Sequence, residues 1–505
     1  MRLERKRLSS RGHAVGLSAA VLAGVLSQGS CTDYIEPPGG LQTFHVTIVA
    51  VNGGDPPAID SPLPANTGDH NETWQVDVEA RNPDGTVDES FEGVVRLSIE
   101  PGTVVAVDSL GTDDDTGRNL HLSGGKGTGI VTVTAMYGDA RLWVEDLGYD
   151  PAPAGETPAC ANGVNDDPDE DVLIDFPNDP GCAYADDNSE TGSTFAAGTS
   201  PPVHYALPTL RDIQGASSTT PFPYESITVN TAGEHYLVVT RLAKDGFYVT
   251  DLADSDVGYN HLFAFSFSTP PGVRVCDRVT YLSGTLSEFF GFTELSFPSY
   301  ETEPIYEKDK SKCRVPEPIV LSADDIEDPR VMESYESGLI RAEGYHVSNL
   351  IGPKLALNNV FASDQTNCDF NGDGKIDFES AAEGSCGNAC SANTECSEWT
   401  GYVARGNYKV SKQTTLESGT PIVSVLQIQT DNAPEFSPVA SRGAVLTAIT
   451  GTLRNFSGGS LNWTIEARCT DDVVCDAAGC TPEILGPKES CLDLRAEEDP
   501  DEGTN

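Results

Sequence analysis

Cysteine placement constrains this chain more than any other feature of its sequence. The 505 residues include 13 cysteines, of which Cys31 stands alone near the N-terminus and the others form even, local groups. Disulfides that close within separate structural units require even groups, and the Cys-x-x-Cys spacing favoured by structural zinc sites is absent. We therefore predict disulfides, formed in an oxidising compartment, among Cys160, Cys182, Cys276, Cys313, Cys368, Cys386, Cys390, Cys396, Cys469, Cys475, Cys480 and Cys491.

The pairing of these cysteines follows from the sequence in part. Two groups hold a single pair, which predicts one bridge between Cys160 and Cys182 and another between Cys276 and Cys313. The groups at 368–396 and 469–491 hold four cysteines each, and each such group allows three pairings. The sequence leaves those pairings open.

The N-terminal segment has the features of an export signal. Basic residues precede an apolar run at 14–26, which is about 13 residues long and therefore short for a membrane span. Small residues lead from this run to Cys31, with Gln28 three positions before the cysteine. This arrangement resembles the signal of bacterial lipoproteins, in which the cysteine becomes the acylated first residue, although that family prefers Leu where Gln28 stands. The resemblance implies a signal peptide at 1–30, a palmitate-type anchor on Cys31, and a location at the outer membrane or cell surface, facing the periplasm or the exterior. Ordinary signal cleavage and an uncleaved anchor are the alternatives.

Net charge restricts the partners of the chain. Lys and Arg number 31 against 78 Asp and Glu, which gives a formal net charge of −47. Such a surface repels phosphates and attracts divalent cations. We therefore expect no nucleic acid partner, and we expect contact with a membrane only through the lipid anchor.

The segment 43–150 has the pattern of a β-sandwich. Apolar and polar residues alternate along Phe44–Ala50 and Trp74–Ala80, as they do in half-buried strands, and turn sequences separate these runs. Strands at this spacing indicate two packed sheets. The runs Asn82–Thr86 and Phe91–Leu97 resemble the immunoglobulin-like repeats of bacterial surface proteins, which implies an immunoglobulin-like fold.

The segment 208–315 is rich in strand-like runs as well. The ordered set Asp212–Gly215, Val238–Thr240, Asp245–Asp251 and Val275–Val279 resembles the small OB-like barrels attached to secreted nucleases and other exported enzymes. The segment 316–490 follows a related plan. The prediction is an all-β, multidomain chain: an immunoglobulin-like sandwich followed by one or two OB-like barrels with disulfide-framed calcium loops. The remaining segments are a tether at 31–42, an Asp- and Pro-rich linker at 151–207, a Cys-rich insertion at 364–398 and an acidic tail at 491–505.

The insertion carries the clearest metal-binding pattern. Oxygen-bearing side chains at alternating positions, with Gly374 to allow a turn, match the first part of an EF-hand calcium loop. The loop resembles those of dockerin modules, except that Ser380 stands where an acidic ligand is usual and Glu379 or Glu383 would have to replace it. We predict calcium ligation by Asp369, Asn371, Asp373, Lys375 through its carbonyl, Asp377 and Glu379. A metal-free turn framed by disulfides is the alternative.

A second acidic loop lies between Cys160 and Cys182. Its acids alternate and could converge on one ion, and the segment resembles the Asp-rich calcium repeats of thrombospondin type 3. Those repeats usually carry Gly between the acids, where Glu170 and Val172 stand here. The predicted ligands are Asn165, Asp167, Asp169, Asp171 and Asp175. The alternative is an acidic disulfide loop without metal.

Catalytic motifs are absent from the sequence. It contains no His-Glu-x-x-His, Gly-x-Ser-x-Gly or P-loop pattern. We predict an exported, lipid-anchored envelope protein with a structural or binding role, stabilised by disulfides and calcium, and without enzymatic activity. One alternative is an accessory or degenerate relative of secreted metal-dependent nucleases or phosphoesterases. Another is an adhesin that binds an envelope protein or a glycan.

Overall fold

The computed structural model describes residues 41–109, 117–166, 172–253, 258–348, 405–438, 443–455, 463–475 and 489–494, and the single positions 402, 440, 441 and 477. Its described part contains 22 strands arranged in four sheets, with short helices between them. The predicted all-β, multidomain fold is confirmed. None of the helices in these ranges is both long and apolar enough to cross a membrane.

Two sheets form the N-terminal sandwich. The first has four strands in the order β1-β2-β6-β4, with bounds β1 Thr43–Val51, β2 Glu72–Arg81, β6 Lys126–Thr134 and β4 Thr103–Ser109. The second has the order β5-β3-β7-β8, with β9 also paired to β7; its bounds are β5 Asn119–Leu122, β3 Gly93–Glu100, β7 Asp139–Tyr149, β8 Gly198–Thr199 and β9 Val203–His204. Strands β8 and β9 come from the segment that the sequence assigned to a linker.

The alternation of apolar residues along β2 builds the core of the sandwich. Trp74, Val76 and Val78 are buried, while the residues between them are less so, because successive side chains of a strand point to opposite faces. The indole Nε1 of Trp74 donates to the hydroxyl of Tyr205 at 3.3 Å, and that hydroxyl donates to Glu72 at 3.0 Å. Tyr205 follows β9, so the supposed linker supplies both a strand and a core side chain.

The next unit is a closed five-stranded barrel. Strand β11 pairs with β12 and β14, β13 lies parallel to β15, and β14 pairs with β15 to complete the circuit. This is the connectivity of an OB barrel. The strand bounds are β10 Ser226–Thr228, which adds to β14, β11 Leu237–Ala243, β12 Gly246–Asp251, β13 His261–Phe265, β14 Arg278–Glu288 and β15 Thr293–Glu303; helix α1 at Leu210–Gln214 precedes them.

A second barrel repeats the same connectivity. Strand β17 pairs with β18 and β20, β19 lies parallel to β21, and β20 pairs with β21. The sequence allowed for one or two such barrels, and the structure has two. The bounds are α2 Ile305–Lys308, β16 Ile319–Val320, α3 Ala323–Glu327, α4 Pro329–Ser334, β17 Leu339–Val347, β18 Asn407–Thr415, β19 Pro421–Gln429, β20 Val445–Asn455, β21 Trp463–Glu466, β22 Val473–Val474 and α5 Glu489–Leu492.

Three disulfides are present among the described residues. They join Cys160 to Cys182, Cys276 to Cys313 and Cys469 to Cys491, with Cα–Cα distances of 5.7, 5.4 and 5.4 Å, which lie in the usual range. The first two pairings are those that the sequence predicts. Cys475 is also disulfide-bonded. The group Cys368, Cys386, Cys390 and Cys396 lies outside the described residues.

The described C-terminal segment, residues 489–494, contacts both barrels. The bridge to Cys469 fixes α5 beside the second barrel. Beyond α5, the backbone N–H of Val275 donates to the carbonyl of Leu494 at 3.1 Å, and Arg274 pairs with Asp493 at 3.4 Å on the first barrel. The first residues of the predicted acidic tail therefore contact the fold in the described structure.

Candidate binding site between the two barrels

Most of the predicted calcium ligands lie outside the described residues. These are Asp369, Asn371, Asp373, Lys375, Asp377 and Glu379 of the insertion and Asp167, Asp169 and Asp171 of the acidic loop. Cys31 lies outside them as well. Calcium binding and lipidation at these positions stay predictions.

Two predicted ligands of the acidic loop, Asn165 and Asp175, are described, and both bind the backbone. Asp175 accepts hydrogen bonds from the N–H groups of Asn162 at 3.0 Å and Gly163 at 2.9 Å. The side-chain amide of Asn165 donates to the carbonyl of Leu173 at 3.2 Å. Both side chains hold the loop in shape, Asp175 as an acceptor and Asn165 as a donor to the backbone.

Buried carboxylates organise the rest of this disulfide-framed segment. Asp187 accepts from the backbone N–H groups of Asp150 at 2.9 Å and of Ala183 and Ser189 at 3.1 Å each, and Glu190 accepts from the N–H of Asp166. Burial nevertheless raises the pKa of Asp187. Glu190 also lies near Cys160 and Cys182, at the spacing of a metal site. Because the two sulfurs are bonded to each other and metal ligation needs thiolates, these three residues do not form a metal site here.

A denser set of buried charges lies between the two barrels. Arg241 of β11 donates through Nη1 to Glu466 of β21 and to Thr452 of β20, the latter at 2.9 Å. The hydroxyl of Tyr248 donates to the same Glu466 carboxylate at 3.1 Å, and Arg454 Nη1 lies 3.8 Å from its other oxygen. One carboxylate of the second barrel is therefore shared by two guanidinium groups, one from each barrel.

The two guanidinium groups determine the charge state of Glu466. Burial alone favours the neutral acid, but Arg241 and then Arg454 outweigh it and hold the pKa of Glu466 below its ordinary value. The carboxylate is therefore ionised at neutral pH. An ionised carboxylate that accepts hydrogen bonds from both an arginine and a tyrosine of the first barrel binds the two barrels to each other.

The same arginines cover an aromatic surface of the first barrel. Tyr248, Phe263 and Phe292 form a buried cluster separate from the main core of that barrel. The guanidinium carbon of Arg454 lies 4.9 Å from the ring centroid of Phe292 and 5.6 Å from that of Phe263. Arg241 lies 5.1 Å from the ring centroid of Tyr248, so each arginine makes a cation–π contact.

A second group of buried carboxylates lies near α4. Glu336 accepts from the N–H of Thr293 at 3.0 Å, and Glu288 accepts from Thr293 Oγ1 at 2.7 Å. The other oxygen of each carboxylate has no hydrogen-bond partner among the described residues. Burial and then the charge of Glu288 raise the pKa of Glu333 to about 7, and burial and then Glu333 raise that of Glu336 well above its ordinary value.

An open cavity of about 350 Å³ lies beside the Arg241–Glu466 pair. The turn between β11 and β12 supplies Lys244 and Asp245, and the segment that follows β19 supplies Asp431. In OB barrels this first turn belongs to the ligand-binding surface. The turn is tight because Gly246 lies against β13, where a Cβ would come within 2.1 Å of the Ala264 carbonyl.

The sequence did not predict a site at any of the charged residues between the two barrels. Arg241 and Glu466 are 225 positions apart, and each lies in an ordinary strand. The available signal was an arginine directly after a predicted strand, as at Arg241 and Arg454, since a guanidinium that is buried requires a partner.

No protein-family model matches the sequence, and no curated protein is similar to it at a significant level. Among solved structures, dimeric latent PorU from Porphyromonas gingivalis matches with 12% identity and a TM-score of 0.16, covering 51% of this chain and 29% of that one. The major pilin subunit of Bacillus cereus, BcpA, matches with 9% identity and a TM-score of 0.16, covering 52% of this chain and 67% of that one. This chain therefore spans less than a third of the PorU structure, and both TM-scores are too low to support an inference.

Removal of the shared carboxylate should strongly destabilise the chain. Glu466→Gln leaves Arg241 and Arg454 buried without the anion, and loss of one partner of a buried pair costs about 3–5 kcal/mol. We expect the free energy of unfolding in urea to fall by that amount. The control is Glu343→Gln, because Glu343 pairs with Arg341 at the surface, where such pairs contribute about 0–1 kcal/mol. Equal losses in the two variants would contradict the role of Glu466.

Stability should also decline as pH rises through neutrality. The folded chain holds protons on Glu333 and Glu336 that the unfolded chain releases near the ordinary carboxyl pKa. The contribution of Glu333 is therefore fully present below that value and is lost as pH rises through about 7, and that of Glu336 is likewise lost as pH rises. We expect Glu333→Gln to flatten the decline in urea unfolding measured from about pH 5 to about pH 8.

A matched comparison separates this effect from that of His261. Burial lowers the pKa of His261 to about 4, so its protonation destabilises the fold as pH falls below the ordinary histidine value. The difference between Glu333→Gln and the unchanged chain isolates the carboxylate. The exposed Glu417 supplies the control Glu417→Gln, which should keep the original profile. An unaltered profile in Glu333→Gln would show that these carboxylates do not control stability.

Proposed function

We propose that this chain is an exported, lipid-anchored envelope protein with a structural or binding role, stabilised by disulfides and calcium. The observation that carries the proposal is the set of disulfides Cys160–Cys182, Cys276–Cys313 and Cys469–Cys491. Structural disulfides persist outside the reducing cytosol. None of these three bridges includes Cys31, and the resemblance to lipoprotein signals implies that Cys31 is the acylated residue.

The geometry favours a binding or structural role over the nuclease-related alternative. OB barrels that bind single strands use exposed aromatic side chains beside a basic groove. In the first barrel, Tyr248, Phe263 and Phe292 are buried, and arginines from the two barrels lie over them. Bases therefore have no access to these three rings. The open cavity beside Glu466 favours binding over a purely passive structure.

Lipidation at Cys31 tests the export proposal directly. The protein is recovered from membranes of an expressing bacterium, and the mass of its N-terminal peptide is measured. We expect the peptide to begin at Cys31 and to carry acyl chains, and we expect Cys31→Ser to release the protein from the membrane fraction. An unmodified thiol at Cys31 would contradict the anchor.

Chelation tests the calcium proposal. Calcium binding to the folded chain alone stabilises it by mass action, so the melting temperature of the calcium-loaded protein should fall in EDTA. In the double variant Asp369→Ala, Asp373→Ala, most of this difference should disappear. Asp167→Ala, Asp169→Ala measures the share of the other loop. Identical melting curves with calcium and with EDTA would refute calcium as a structural cofactor.

A further inference from the structure

The cavity between the barrels is lined by three cationic side chains. Arg241 lines it and is 5% exposed, and its Nε has no hydrogen-bond partner among the described residues. A buried donor without a partner costs about 1–3 kcal/mol. Arg454 and the exposed Lys244 also line the cavity. Arg241 and Arg454 already share the Glu466 carboxylate, so the exposed ammonium of Lys244 is the cation that an anionic oxygen entering here would meet.

Acidic and amide side chains line the rest of the cavity. Asp245 and Asp431 contribute carboxylates in addition to the paired Glu466, and Gln429 and Asn432 contribute amides. Carboxylates accept hydrogen bonds from hydroxyl groups, and amides both donate and accept them. The same carboxylates repel a multiply charged phosphate. The lining therefore suits a ligand with one negative charge and several hydroxyl groups.

An exposed aromatic pair lies at the rim. Phe267 lines the cavity and is 62% exposed, and its ring centroid lies 5.1 Å from that of Phe297, which is 70% exposed. Both residues have positive φ, 61° and 54°, a conformation that is an outlier for bulky side chains and clusters at functional sites. The backbone is thus strained while two large apolar rings stay in water. A flat apolar face of this kind can pack against the C–H face of a sugar ring.

We propose that the cavity binds an acidic sugar, a hexuronic acid unit of a glycan. Its carboxylate would accept from the ammonium of Lys244, its hydroxyls would donate to Asp245 or Asp431, and its ring would pack on Phe267. The volume of about 350 Å³ lies at the lower end of the range for small-ligand sites and suits one or two sugar units. This inference deepens the binding role proposed above and rests on it.

Calorimetric titration with a short oligogalacturonate tests the proposal. The calcium-loaded full chain is used after free calcium has been removed, so that the ligand does not associate through the metal. The matched ligand is the same oligomer with its carboxylates reduced to alcohols, and we expect it to bind at least tenfold more weakly. A mononucleotide and a dipeptide serve as competing ligand classes. Absence of saturable oligogalacturonate binding, or stronger binding of any of the other three ligands, would overturn the assignment.

Matched variants locate the site. Phe267→Ala should weaken oligogalacturonate binding about tenfold, which corresponds to about 1.4 kcal/mol. Phe290→Ala is its control, because Phe290 is 67% exposed with a φ of 57° but does not line the cavity. Lys244→Gln should weaken binding, whereas Lys126→Gln on the sandwich should not. Melting temperatures confirm that each variant is folded. Equal losses in Phe267→Ala and Phe290→Ala would place the ligand elsewhere and overturn the proposal.

The outcome is separable from that of the proposed function. An acylated Cys31 together with no oligogalacturonate binding would remove the sugar site and leave the lipid-anchored protein in place. Specific binding together with an unmodified Cys31 would support the sugar site and remove the lipid anchor.

Discussion

The ion pair between Arg241 and Glu466 is the interaction on which the arrangement of the two barrels depends. Glu466 is 5% exposed and is the carboxylate nearest to both Arg241 and Arg454, so the first barrel could not bury Arg241 without the carboxylate of the second. A buried ion is tolerated only when its partner is buried with it, because the loss of water around one charge costs several kcal/mol. The barrels are therefore complementary in charge where Arg241 meets Glu466. The C-terminal segment, held to the second barrel by Cys469–Cys491, adds contacts of Leu494 and Asp493 with the first barrel.

This arrangement changes what the first barrel can bind. Its outer aromatic cluster would serve as a stacking surface if the barrel were isolated, but Arg454 of the second barrel lies over Phe263 and Phe292. The guanidinium takes the position against the rings that a base would need. What stays open is the edge of that surface, where the turn after β11 and Phe267 meet the second barrel. The junction thus closes one binding surface and creates another with a different composition.

The sequence was a good guide to elements with a regular pattern and a poor one to contacts between distant residues. Alternation along β2 predicted its buried face, and even cysteine groups predicted the bridges at Cys160 and Cys276. Strands β8 and β9 have two residues each, too few to show a period, so their segment looked like a linker. The residues of the cavity come from different barrels, and the positive φ of Phe267 has no local sequence signature. Tertiary packing sets both features.

The acidity of the chain and the position of its arginines act together on ligand choice. The chain has 31 basic residues against 78 acidic ones, and the guanidiniums of Arg241, Arg454 and Arg468 are all buried or nearly so. Positive charge that is buried in ion pairs does little to offset the exposed acidic surface, so the long-range field repels polyanions before they arrive. At short range, the exposed ammonium of Lys244 still attracts one anionic oxygen. Long-range repulsion and short-range attraction together select a ligand with a low density of negative charge. A phosphate chain fails this condition at a distance, and a glycan whose carboxylates are spaced by whole sugar rings meets it.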